Sequence, residues 1–126
     1  KLKQMIKENE LRVGNLVYEQ YDSPYTIETI TPGWIQISDN YEEYDSEIES
    51  LRPIPLTEEW LSKFGVSKVM SENIFYYDRF ILTYKTNYKY WYVQDINTLT
   101  YLTKVEFVHE WQNFVFVMNG QELELK

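Results

Sequence analysis

Between Thr103 and Gly120 the apolar residues Val105, Val108, Trp111, Val115 and Met118 recur at helical spacing. Phe107, Phe114, Phe116 and Val117 widen that stripe until the last turn is apolar nearly all round, and such a turn needs cover on several sides. Thr103 and Glu106 have capping-box spacing, and Leu102 and Phe107 stand at the positions of a hydrophobic staple. Asn119-Gly120 supplies the stop, because glycine tolerates the left-handed backbone that ends many helices. The pattern predicts a core helix over 103–120 with sheet packed around it.

Upstream the period changes from helical to alternating. Leu11, Val13, Leu16 and Val17 begin a strand pattern bent at Gly14-Asn15. Tyr25–Ile30 predicts a second strand and Trp34–Ser38 a third, joined by the tight turn Thr31-Pro32-Gly33. Three short strands with tight turns predict a small curved antiparallel meander, SH3-like in its strand spacing. Thr57 is a good N-cap for a short helix ending at Phe64, with Glu58 and Glu59 at its start, Lys63 at its end and Gly65 just beyond. Trp60, Leu61 and Phe64 give that helix a buried face. Ile74–Tyr84 and Lys89–Ile96 read as partner strands across a turn at Thr86-Asn87, and Asn97-Thr98 turns into Leu99–Leu102. Leu123 and Leu125 alternate with Glu122, Glu124 and Lys126 as a terminal strand or tail. Strands predominate and two helices stand apart in sequence, which is an α+β pattern. With 126 residues and no linker, repeat or low-complexity stretch, a single domain over 1–126 is expected. Met5 reads as a natural start, leaving Lys1–Gln4 as a remnant ahead of it.

Composition narrows the function classes. The chain has no cysteine, so it has no disulfide framework, thiolate metal site or cysteine nucleophile. No apolar run approaches the roughly 20 residues of a membrane span, and the N-terminus lacks a signal peptide's apolar stretch. A cytoplasmic protein is therefore expected. The net charge of −8 argues against direct phosphate-backbone binding and suits a partner with a basic surface.

Six carboxylates crowd Asp39–Ser50: Asp39, Glu42, Glu43, Asp45, Glu47 and Glu49. Charge runs usually lie in solvent, as a loop or as an edge strand blunted against aggregation. The functional alternative is an acidic surface for a basic partner. A calcium loop fits less well, since the spacing is not that of an EF-hand. Twelve tyrosines suit half-buried strands, and also contact surfaces. Tyr76, Tyr77, Tyr88 and Tyr90 are the candidates for a tyrosine-rich contact face.

His109 is the only histidine and neighbours Glu106 and Glu110 on the expected helix, with Asn113 one turn on. It lacks an evident nucleophile or orienting partner for general-base work, and one histidine with carboxylates is a thin metal site. A polar or hydrogen-bonded helix residue is the simpler account. Glu58-Glu59 point in different directions and complement the helix dipole rather than forming a catalytic pair. No phosphate-binding loop, nucleophile elbow or zinc-protease motif is present, so no cofactor or metal is expected. The three arginines, Arg12, Arg52 and Arg79, each suit neutralisation of local carboxylates as well as ligand binding.

Three stretches, ELRVGNLV (10–17), RPIPLTEEWLSKFGV (52–66) and VHEWQNFVFVMNGQELE (108–124), together resemble a family of small uncharacterised proteins common in Bacteroidetes genomes and their phages or mobile elements. Its members look like LRIGN, PIPLTEEWLLKFGF and VHQLQNLYFALTGEEL in that order. The last stretch departs at Glu110-Trp111 and Val117-Met118-Asn119, changes that keep helix character. The resemblance implies a genomic setting and no activity. Four readings follow. The first is a non-enzymatic protein-binding or accessory protein, contacting a partner through Asp39–Glu49 or the exposed tyrosines. The second is an acidic nucleic-acid mimic that inhibits a host nuclease or defence enzyme. The third is a small enzyme with an acidic site near His109. The fourth, single-stranded nucleic-acid binding on stacked aromatics, is disfavoured by the charge.

Overall fold

A computed structural model describes residues 6–69 and 73–126; the expected start at Met5 and the remnant Lys1–Gln4 lie outside them. The chain forms two compact units. The first comprises Lys1–Pro55 and Phe107–Glu122, and the second Leu56–Glu106 and Leu123–Lys126. Two antiparallel sheets of four and five strands, with one long and one short helix, make the fold α+β.

In the first unit the strands are β1 (Leu16–Val17), β2 (Tyr25–Thr31), β3 (Trp34–Ser38) and β4 (Glu43–Ser46), paired in chain order as an open meander. The sheet does not close into a barrel, so the SH3-like strand spacing goes no further than the meander. Alternation sends Ile27, Ile35 and Ile37 inward, where they pack with Ile6, Val17, Tyr25 and Leu51. Each fully buried isoleucine contributes about 1.5–3 kcal/mol. The opposite face is polar. Thr29 Oγ1 donates to Gln36 Oε1 (3.2 Å), and Gln36 Nε2 donates to Glu43 Oε1 (3.0 Å), so a side-chain ladder crosses β2, β3 and β4. The acidic stretch thus supplies the sheet's outer strand, the edge-strand reading of its charges.

The long helix, α2 (Val108–Asn119), also belongs to the first unit. Its N-cap, Phe107, stands four residues later than the expected Thr103. Thr103 and Glu106 do not cap it, and Leu102 is not its staple residue, because Tyr101–Val105 is a strand. Phe107 is the N-cap, and its N–H donates to Glu110 Oε1 (3.0 Å), the carboxylate half of a capping box. The predicted stop holds: Gly120 takes φ 71° and its N–H bonds the Phe116 carbonyl.

The second unit opens with α1 (Glu58–Lys63). Its cap is as expected, with Thr57 Oγ1 accepting from the Trp60 N–H (3.3 Å). Five strands follow in chain order: β5 (Ser67–Lys68), β6 (Ile74–Tyr77), β7 (Phe80–Lys85), β8 (Tyr90–Asp95) and β9 (Tyr101–Val105). The expected continuous strand Ile74–Tyr84 is two strands folded at Asp78-Arg79, where Asp78 adopts φ 54°. Tyr101–Val105 is a strand rather than a helix start because it pairs with β8, Trp91 opposite Val105 and Tyr92 opposite Lys104. Trp91 is buried and its indole N–H donates to the Leu56 carbonyl (2.8 Å), which ties β8 to the start of α1. Leu123 and Leu125 form no strand; Leu123 is buried and Leu125 exposed. No helix among the described residues is long and apolar enough to cross a membrane.

Candidate functional site: an acidic edge and a groove

The charge is not spread evenly. The first unit holds 13 Asp and Glu against 5 Lys and Arg, a balance of −8, whereas the second holds seven of each. The whole net charge therefore belongs to the unit that carries the acidic stretch. Sheet alternation places Glu43 and Asp45 on the outer face of β4, in register with Ser38 and Gln36. Glu42, Glu43, Asp45, Glu47 and Glu49 are all exposed, and Asp39 is half-buried.

These carboxylates have different duties. Asp39 Oδ1 accepts from the Tyr41 and Glu42 N–H groups (2.8 and 2.9 Å) and so builds the turn that feeds β4. Glu42 Oε1 accepts from the Tyr25 hydroxyl (3.0 Å), and Glu43 is held by Gln36. Behind the strand, the Tyr44 hydroxyl donates to Glu19 Oε1 (2.9 Å) and its ring packs edge-on against Tyr25 (5.6 Å). Burial first, then the bonds to Tyr25 and Glu19, push the Tyr44 phenol above its ordinary range. Asp39, Glu42 and Glu43 thus serve the fold as well as presenting charge.

Glu47 and Glu49 lie on the wall of a groove of about 200 Å³, shared with Glu8, Thr31, Gly33, Trp34, Ile35 and Ile48. Trp34 is 54% exposed. An exposed indole beside three carboxylates is chemistry for a cation, because the ring face and the negative charges attract it together. Glu8 and Trp34 were not singled out by sequence reasoning. Trp34 was findable: it alternates with Gln36 and Ser38 on the polar face and follows the Pro32-Gly33 turn.

The tyrosine candidates belong to the second unit. Tyr76 on β6 and Tyr88 in the turn before β8 are exposed, whereas Tyr77 and Tyr90 are half-buried. Tyr88 and Tyr90 stack at 5.7 Å. Burial, with the Asp78 charge, raises the Tyr77 phenol above its ordinary range.

His109 is 1% exposed. Its Nε2 lies 3.4 Å from Glu10 Oε1, its ring is parallel to Phe107 at 6.0 Å, and its Nδ1 has no hydrogen-bond partner. It does not line the groove. The face of α2 that carries it holds the segment before β1. Gln112 Oε1 accepts from the Leu16 N–H (2.8 Å), and Gln112 Nε2 donates to the Gly14 carbonyl (3.1 Å). Asn113 donates to the Glu10 carbonyl (2.8 Å) and accepts from Arg12 and Asn15. Arg12 also pairs with Glu122 (2.5 Å) and lies over the Phe116 ring (4.0 Å). The polar stripe of this helix is therefore a clasp, buried at His109 and Gln112 and half-buried at Asn113. Arg52 meets Asp22 (3.0 Å), so these two arginines do neutralise nearby carboxylates. Among the described residues, no group of three or more His, Asp or Glu side chains is arranged to hold a metal ion.

No protein-family model, curated protein or solved structure matches the chain.

Proposed function

We propose that this is a binding protein that contacts a basic surface on another protein through β4 and the adjoining groove. One observation carries the reading: the entire net charge lies in the unit whose outer strand and groove expose Glu43, Asp45, Glu47 and Glu49 beside Trp34. A lysine or arginine side chain of the partner seats in the groove against Trp34, and the carboxylates on β4 steer the approach. The edge position adds main-chain groups to which a partner strand can pair. The phage or mobile-element setting and a cytoplasmic location belong to this reading as well; the three-stretch resemblance alone supports the former.

The nucleic-acid mimic shares the charge but draws less support. It needs carboxylates spaced like phosphates along one face, and Asp39, Glu42 and Glu43 are partly committed to the turn and sheet. The test is affinity capture from host lysate with two baits, wild type and a variant carrying Glu43→Gln, Asp45→Asn, Glu47→Gln and Glu49→Gln. Captured proteins are purified and titrated against both. A basic protein bound by wild type and weakened at least tenfold by the variant supports the reading. A captured protein that binds both baits equally overturns it. A nuclease captured and inhibited by wild type alone favours the mimic.

A further inference from the structure

The outer face of the five-stranded sheet has an opposite character to β4. Its inward residues, Phe75, Leu82, Trp91, Val93 and Val105, are buried. Register and alternation put Tyr76, Tyr92, Tyr101, Lys85 and Lys104 on the other face. Tyr101 is 49% exposed, and its ring meets that of Tyr92 at 4.9 Å. Tyr88, 71% exposed, stacks on Tyr90 at the end of the same strand. The ammonium of Lys85 lies 5.0 Å from the Tyr92 ring centre, and that of Lys104 lies 5.1 Å from the Tyr90 ring centre. Asp95 is the only carboxylate among the described residues of these strands, and it pairs with Phe80 in the row of the buried face. The expectation against nucleic acid rested on the charge of the whole chain, but the second unit is neutral and this face of it is cationic.

We propose that this face binds single-stranded nucleic acid, with bases stacked on Tyr88, Tyr92 and Tyr101 and the phosphates held by Lys85 and Lys104. Two features fit that occupant. Tyr90, which carries the Tyr88 ring, and Tyr92, which meets the Tyr101 ring, are two residues apart on β8, about 6.6 Å along the strand, so the two ring pairs are spaced for successive nucleotides of an extended chain. Tyrosine rings with lysines between them, and no opposing carboxylate, match bases joined by phosphates. A duplex hides its base faces and cannot use the rings. The proposal is independent of the acidic-edge reading, since the two use different units.

The experiment is fluorescence anisotropy of labelled oligothymidylate and of a duplex of equal length with the full chain. Salt is varied upward from about 50 mM. The single strand binds and the duplex binds more weakly. Tyr88→Ala and Tyr101→Ala, both at exposed positions, each weaken single-strand binding by about fivefold or more. Lys85→Gln and Lys104→Gln each make the slope of log K against log salt shallower by about 0.7, a readout that survives if a tyrosine variant fails to fold. No single-strand binding at the lowest salt overturns the proposal. So does equal duplex binding, or a Tyr101→Ala variant that instead loses a captured protein partner.

Discussion

In the clasp between α2 and the N-terminal segment, Gln112 is a buried side chain, and Asn113 adds bonds to Glu10, Arg12 and Asn15. Gln112 is 2% exposed and satisfies two main-chain groups at once, the Leu16 N–H and the Gly14 carbonyl. Gln112→Met keeps the volume and removes both hydrogen bonds, so the loss is not confounded by a cavity. A buried donor left without an acceptor costs about 1–3 kcal/mol. The Gly14 carbonyl is less enclosed and adds less, so the total is about 2–4 kcal/mol, a large share of an ordinary domain's stability of about 5–15 kcal/mol. The assay is urea denaturation with amide exchange of Leu16 read by NMR. At an m value of about 1–3 kcal/mol per molar, the midpoint falls by roughly 0.7–4 M and the Leu16 amide loses protection. Gln112→Glu adds a sharper test. Its carboxylate keeps an acceptor for Leu16 but sets a second oxygen against the Gly14 carbonyl, so burial and repulsion raise its folded pKa above about 4.3. A raised carboxyl penalises the folded state at neutral pH, and the penalty fades as pH falls through that folded pKa and the acid proton bonds Gly14. The Gln112→Glu deficit relative to wild type should therefore shrink on acidification. A Gln112→Met variant within about 0.5 kcal/mol of wild type, with Leu16 still protected, refutes the clasp.

Two further outcomes follow from local geometry. Thr57→Ala removes the acceptor for the Trp60 N–H and should cost about 1 kcal/mol by urea melt, with Thr57→Ser retaining most of the stability. Asp95 is held below the usual carboxylate range, first by the Asn97 N–H and then by that of Thr98. A lowered folded pKa means a contribution complete above the unfolded value of about 4 and lost as pH falls through the folded one. Asp95→Asn should therefore flatten the stability-versus-pH curve below about pH 4, measured by denaturant midpoints across that range.

How much of this was legible in the sequence depended on whether a local signal decided the outcome. Thr57, Gly65 and Gly120 are caps whose chemistry is local, and both helix stops and the α1 start fall where they indicate. The β2–β3 and β7–β8 hairpins follow from alternation and turn residues. The start of α2 was not legible in the same way. Thr103 and Glu106 have good capping spacing, but pairing with β8 takes Tyr101–Val105 into the sheet, and the tertiary partner outweighs the propensity. The fold at Asp78-Arg79 carries no glycine, proline or asparagine; its one local signal is Asp78, a residue type that tolerates the left-handed backbone it adopts, and the strand alternation on either side overrides that signal. His109 reads as a polar or hydrogen-bonded helix residue, with no local sign of its depth. Only the return of residues 10–16 over it makes it buried, and that return spans about a hundred residues of chain. The acidic stretch was visible as charge, and its groove was not, since Glu8 and Trp34 join it through the fold. Charge segregation between units required the partition of the chain, which interleaves the C-terminal helix with the N-terminal sheet.

The central claim, that β4 and its groove are the contact surface, is tested most directly by hydrogen–deuterium exchange of the full chain with and without the purified captured protein. The account predicts added protection over residues 31–49 and around Glu8, lost when Glu43, Asp45, Glu47 and Glu49 are neutralised. Protection that leaves 31–49 unchanged and appears instead over 76–104 contradicts it and moves the protein contact to the tyrosine face.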